Sequence, residues 1–404
     1  MPPLPRTSIA ALSVLCLAAC SSPDTGSTAS ATPHGYVEGA SEATEPQLHL
    51  ATVDGTGRLA LLDLLSESSS DITTLPATTD IGTDGRFVFA TSPAGVTIVD
   101  SGVWTVDHED HSHYYRADPT VVGTVPGDGS ATVVADTTRT AVWFGDTGTG
   151  VVLDRDALGS GAIEELVRID GDPHDGAIVP VGEQLLVTGA DGTVRVHDAD
   201  GEPLDTVAAC TDFSGTIATR VGTVFGCADG ALLATTADGG PVVFETVAYP
   251  AGVTAEQRAT AFRGRPGRPT VAAVAGTTGA WLLDTRERSW TLLPTEVPLL
   301  LVAAADDRDG NVVALAADGR VLVLDPATGA TVAATGPLLA DTVAAASADP
   351  ALLDGLELTV DSTRAYLNAP VEGLVYEIDY ADGARVARTF EVPGSPLFLA
   401  ETGR

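Results

Sequence analysis

Residues 184–198 read QLLVTGADGTVRVHD, and residues 311–325 read NVVALAADGRVLVLD. Each is a short apolar run, an Ala-Asp-Gly turn, and a second apolar run that ends at Asp. Runs of this length, rich in Val and Leu, suit strands buried on both faces. The Asp-Gly between them supplies the positive φ that a tight hairpin requires. A third copy, GTVFGCADGALL, occupies residues 222–233. Weaker copies place their turns at Asp54–Gly57, Ser92–Gly95, Asp146–Gly150, Gly276–Gly279 and Pro370–Gly373. These make about eight units at a mean spacing of roughly 45 residues, the size of a four-stranded propeller blade. The expected fold is therefore all-β, a β-propeller of about eight blades over residues 47–404. Seven blades is the alternative, because two of the spacings are irregular.

Ring closure can be read at the ends of this region. The first unit begins at Leu48-His49-Leu50-Ala51-Thr52-Val53, which reads as a second strand rather than a first. Ser395-Pro396-Leu397-Phe398-Leu399-Ala400 reads as the missing inner strand. One of the two long gaps lies between Arg86 and Thr140, so the blade there carries an insertion. Insertions in repeat folds are a common seat of function.

The formal charge is −34, and the chain has no lysine. That excludes a general nucleic-acid binder, which needs a basic footprint. It also opposes electrostatic attachment to anionic lipid. A hydrophobic content of 44% provides a large core, and 43 glycines with few aromatics suit short strands and tight turns. The acidic surface serves solubility first and raises the local concentration of cations second.

The N-terminus speaks for export. Arg6 precedes the apolar run Ile9–Leu17, which is too short for a permanent membrane span. Leu17-Ala18-Ala19-Cys20 resembles the lipobox of bacterial lipoproteins, in which the chain is cut before the cysteine and its thiol carries lipid. On that reading residues 1–19 are a signal peptide. Residues 20–46 are then a lipidated, disordered tether of Ser, Thr, Ala, Gly, Pro and Glu. The protein sits on the outer face of the cytoplasmic membrane, held by Cys20. Cys210 and Cys227 remain, and in an exported chain an even pair reads as a disulfide. It would close a loop of about 16 residues and stabilise by roughly 3 kcal/mol. Two buried thiols or a zinc thiolate pair are the alternatives, the second lacking the close spacing of a CxxC pair.

The insertion holds DHEDHSH, residues 107–113. Three of the seven histidines fall in this tract. Imidazole and carboxylate are the ligand types that suit zinc. His108, His111 and His113 are the candidate ligands, with Asp107 and Asp110 as further ligands or as acceptors that fix the imidazole tautomers. Glu109 is the least specified. The plain alternative is a polar, His-rich loop. A second candidate pair is His174 and Asp175, in Asp172-Pro173-His174-Asp175-Gly176 just before an inner strand; a polar turn explains that pair equally well. His197 reads as structural, and His49 lies in a strand.

Residues 101–117, SGVWTVDHEDHSHYYRA, closely resemble the His-rich segment of AztD-type zinc metallochaperones. The likeness extends to Gly171–His174, Val224–Gly230 and Gly394–Pro396. The resemblance implies an exported propeller that hands Zn2+ to the solute-binding protein of a zinc ABC importer. It places a mobile His motif on His108, His111 and His113, and a funnel histidine on His174. It also implies histidines that this chain lacks: at Asp175, within Asp212-Phe213-Ser214-Gly215, and within Gly127-Asp128-Gly129-Ser130. The competing expectation is a metal-independent docking scaffold, since fold does not settle function. No GxSxG nucleophile motif or acid–base constellation is present, so no enzyme is expected.

Overall fold

The computed structural model describes residues 35–108, 111–237 and 239–404. Residues 1–19, expected to be a signal peptide, and Cys20 lie outside the described residues, as do Glu109 and Asp110. Eight four-stranded antiparallel sheets follow one another along the chain, and a three-stranded sheet stands apart from them. The architecture is a β-propeller, and the blade count is eight rather than seven.

All eight turns read from the sequence are the hairpins between the second and third strands of the eight blades. In the fourth blade, strands Gln184–Gly189 and Thr193–His197 pair with Leu186 opposite Val196. Gly192 and Gly319 sit in these turns at φ 74 and 81°, which β-carbon sterics deny to most residues.

The burial pattern explains why the middle strands read as unbroken apolar runs. Phe87–Ser92 and Gly95–Asp100 are buried along their whole length, because each blade is covered on both faces. The outermost strands, such as Ser68–Thr74 and Pro203–Ala209, are largely exposed. The core is accordingly divided into eight apolar layers, one at each junction between neighbouring blades.

The first blade is closed by the chain's end. Phe398–Thr402 is its inner strand and pairs antiparallel with His49–Val53, Ala400 opposite Ala51. Cys210 and Cys227 form a disulfide that ties the crossing into the fifth blade to that blade's second strand.

Strand direction alternates within every blade, so its connections fall on two faces. The first-to-second and third-to-fourth connections share one face. The second-to-third connections and the crossings between blades share the other. The insertion leaves the third strand of the second blade at Asp100 and returns to its fourth strand at Thr120. It therefore stands on the first face. The crossing that holds His174 lies between strands Glu165–Asp170 and Ile178–Val181, on the second face.

Candidate metal site

The third strand does not run on through the apolar residues Val103–Val106. It stops at Asp100, and Gly102 turns the chain at φ 74°. Here Asp100 accepts from the Gly102 amide at 2.9 Å and from Arg86 Nη2 at 2.6 Å. A new hairpin then forms from Val103–Asp107 and Ser112–Arg116. Ala117 N donates to Gly102 O at 2.7 Å and closes its base. At its tip His108 N donates to His111 O at 2.9 Å.

The hairpin gains a third strand from a stretch that the composition marks as tether. Ser41–Ala43 pairs with it, Glu42 opposite Tyr115. Cross-strand partners share a face of the sheet, so Trp104, Tyr115 and Glu42 lie on one side together with His113. Trp104 and Tyr115 stack with ring centroids 5.3 Å apart, and both are buried. The Arg86 guanidinium covers the Trp104 ring at 3.9 Å. Trp104 Nε1 donates to Gly35 O at 3.1 Å. These contacts give the hairpin a fixed aromatic base beneath its polar tip.

The three histidines converge at that tip. Their ring centroids are 5.2 Å apart for His108 and His111, 5.4 Å for His108 and His113, and 4.9 Å for His111 and His113. His111 Nε2 and His113 Nε2 lie 3.2 Å apart. Two nitrogens on one tetrahedral zinc would be about 3.3 Å apart, given Zn–N bonds of about 2.0–2.1 Å. Glu42 Oε1 lies 2.6 Å from His113 Nδ1. This carboxylate–imidazole pair fixes the ring, and Nε2, which faces His111 Nε2, is the nitrogen that would bind a metal. The donor set therefore fits zinc: three imidazoles with a carboxylate behind one of them. Among the described residues, no three such side chains yet form a finished cage around one point. Binding would require the rings, already in contact, to rotate. Asp107 ends the hairpin's first strand, on the sheet's other face.

Sequence reasoning missed Glu42, because nothing in its polar surroundings marks a three-residue strand. It also passed over His49. That side chain is buried, with Asp63 Oδ2 3.9 Å away. Neither ring nitrogen has a hydrogen-bond partner among the described residues. Burial, with help from the Arg116 charge, holds its pKa below the usual histidine value, against the pull of Asp63.

His174 and Asp175 do not join the hairpin site, since they lie on the opposite face. Both ring nitrogens of His174 are engaged, Nδ1 with Asp172 O at 2.8 Å and Nε2 with Thr188 Oγ1 at 3.0 Å. Trp143 packs on the ring at 4.9 Å and donates through Nε1 to His174 O. Asp175 lines a cavity of about 270 Å3 with Ser130, Phe213, Ser214 and Gly215. The three stretches where the AztD-type resemblance implies a histidine and this chain has none thus meet in one cavity. His197 Nδ1 bonds to Gly201 O at 2.8 Å, a turn contact.

A propeller with a histidine-tipped hairpin on one face is the class that fold and site define. No protein-family model and no curated protein sequence matches the chain. Among solved structures it is similar to AztD from Citrobacter koseri, with a TM-score of 0.76 at 19% identity over 89% of this chain and 99% of that one. It is similar also to apo AztD from the same organism, with a TM-score of 0.74 at 18% identity over 88% and 98%. The dihydro-heme d1 dehydrogenase NirN, bound to DHE, follows at 0.55 and 15% identity over 89% and 76%. The AztD-type likeness of residues 101–117 is thus matched by a likeness of fold along nearly the whole of the AztD chain.

Proposed function

We propose that this is an extracytoplasmic, lipid-anchored zinc-binding propeller that acts as a metallochaperone. Its cargo is Zn2+ carried on the hairpin tip. Its partner is the solute-binding protein of a zinc ABC importer. The observation that carries this reading is the convergence of His108, His111 and His113 beside Glu42. The AztD-type resemblance of the same segment supports it. An exposed tip on a packed base suits transfer by ligand exchange, in which incoming imidazoles replace outgoing ones and the ion stays coordinated throughout. The role is non-enzymatic. The reading rests on the hairpin site, and His174 and Asp175 are left out of it because they lie on the opposite face. The anchor rests on the Leu17–Cys20 lipobox. No helix among the described residues is long and apolar enough to cross a membrane.

Zinc titration of the chain from residue 21, beside the H108A/H111A/H113A variant, tests the reading. The wild type is expected to bind one zinc tightly and the variant to lose that site. If the wild type binds no more tightly than roughly 10 μM, about −7 kcal/mol, the metal reading fails. The protein is then a docking scaffold.

A further inference from the structure

On the face that carries the hairpin, three loops of the fifth and sixth blades bring arginines to one cavity. Arg220 lies between strands Thr216–Ala218 and Thr223–Cys227, Arg268 between Thr260–Arg263 and Thr270–Val274, and Arg286 between Gly279–Asp284 and Ser289–Pro294. The cavity holds about 320 Å3 and is otherwise walled by Val221, Pro269 and Asp306. That is room for about ten waters at ~30 Å3 each. In a chain of formal charge −34 with 21 basic residues, three guanidiniums against one carboxylate is a local reversal of sign.

The walls are built rather than fortuitous. Pro269 O accepts from Thr285 N at 3.1 Å and from Thr285 Oγ1 at 2.6 Å, which ties the Arg268 loop to the Arg286 loop. Thr219 Oγ1 meets Thr285 Oγ1 at 3.4 Å and caps the Arg220 turn by accepting from Val221 N and Gly222 N. Asp306, held at φ 43°, turns its carbonyl toward Arg268 and accepts from Nε at 3.1 Å and Nη2 at 2.7 Å. The Asp306 carboxylate lies 3.7 Å from the same guanidinium, which offsets its charge. Among the described residues, no carboxylate comes within ion-pair distance of Arg220 or Arg286. Most other arginines, including Arg58, Arg86, Arg263, Arg364 and Arg388, have such a partner. Arginine is the side chain suited to bidentate recognition of oxyanions. Fixed loops reduce the ordering cost of binding.

We propose that Arg220, Arg268 and Arg286 form a binding pocket for a phosphate-class oxyanion. Its source is free inorganic phosphate or the headgroup of an anionic phospholipid. The site is independent of the zinc reading and lies on other blades.

The test uses the chain from residue 21 with inorganic phosphate as probe, followed by 31P NMR titration at constant ionic strength set with chloride. Three proteins are compared: wild type, R220A/R286A, and an R195A/R320A control with the same change of charge on other blades. Wild type and control are expected to bind phosphate above the chloride background. R220A/R286A is expected to bind at least about tenfold more weakly, as loss of charge-assisted hydrogen bonds implies. Co-sedimentation with phosphatidylcholine vesicles, with and without phosphatidylglycerol, separates the sources. Retention on the anionic vesicles that R220A/R286A loses and phosphate competes away assigns the headgroup. Phosphate binding without retention assigns the free ion. No binding above chloride, or equal weakening in the two double variants, overturns the proposal.

Discussion

At the scale of single residues, the hairpin tip depends on one carboxylate from a distant part of the sequence. Glu42 reaches His113 Nδ1 at 2.6 Å from a strand held to the hairpin by three paired residues. Removing such a partner typically lowers metal affinity 10- to 100-fold without touching a ligand. E42A is therefore expected to weaken zinc binding at least about tenfold, with Tm nearly unchanged in the absence of metal. Equal zinc affinity in E42A and wild type would remove Glu42 from the site. His49 makes a different prediction. Its folded pKa is held below the ordinary 6.5 by burial, so the unfolded chain takes up its proton first as pH falls. The stability it protects is present above about pH 6.5 and is lost as pH drops toward the lowered folded value. H49L leaves no unpaired ring nitrogens behind and should be neutral or stabilising at about pH 7.5. Between about pH 7.5 and 5 its Tm should fall less than that of the wild type. Parallel Tm profiles for the two proteins would exclude His49 as an acid-sensitive group.

At the scale of elements, Gly102 decides whether residues 103–116 are a hairpin or an extension of a blade. Its φ of 74° is a left-handed conformation, and an added β-carbon would collide with Ala117 O. G102A is expected to cost roughly 1–3 kcal/mol. The loss should appear in urea unfolding of the apoprotein and as weaker zinc binding, with far-UV circular dichroism of the ring preserved. An unchanged midpoint would show that the turn tolerates other residues. This element also marks the limit of what the sequence reveals. The eight blade hairpins were legible because a buried strand must be apolar along its length and its turn must offer a residue at positive φ. The disulfide was legible because, with Cys16 and Cys20 set aside on the lipobox reading, two cysteines are left to pair. The hairpin's strand structure was hidden, because His, Ser, Tyr and Arg carry no core periodicity. The strand Ser41–Ala43 was hidden for the same reason: its order comes from pairing with residues some 70 positions away. Spacing alone could not place His174 on the face opposite the hairpin, nor set its ring nitrogens against Thr188 and the Asp172 carbonyl.

At the scale of the whole molecule, function and closure converge on one region. The last strand, Phe398–Thr402, zips the ring against His49–Val53. Just beyond it Gly403 O accepts from Thr105 Oγ1 of the hairpin at 2.7 Å, and Gly403 N donates to Gly85 O at 2.6 Å. The chain's end thus holds the first blade to the second and supports the hairpin from below. Removing residues 395–404 would strip that support. It would also expose the edge of His49–Val53, all five residues of which are buried. Leu399, Ala400, Glu401 and Thr402 would lose their own burial. The loss, a row of ladder hydrogen bonds with the burial of Leu399 and part of Phe398, is at least on the order of 5 kcal/mol. That is comparable with the whole net stability of many domains. The truncated chain is expected to melt far below the full chain and to aggregate through its open edge. Because closure is non-covalent, a synthetic peptide of residues 395–404 supplied in trans should raise Tm in proportion to the logarithm of its concentration. It should restore zinc binding at the hairpin in step. A truncated chain that melts with the full one would place ring closure elsewhere. A peptide that restores Tm but not zinc binding would uncouple the hairpin from the strand beneath it.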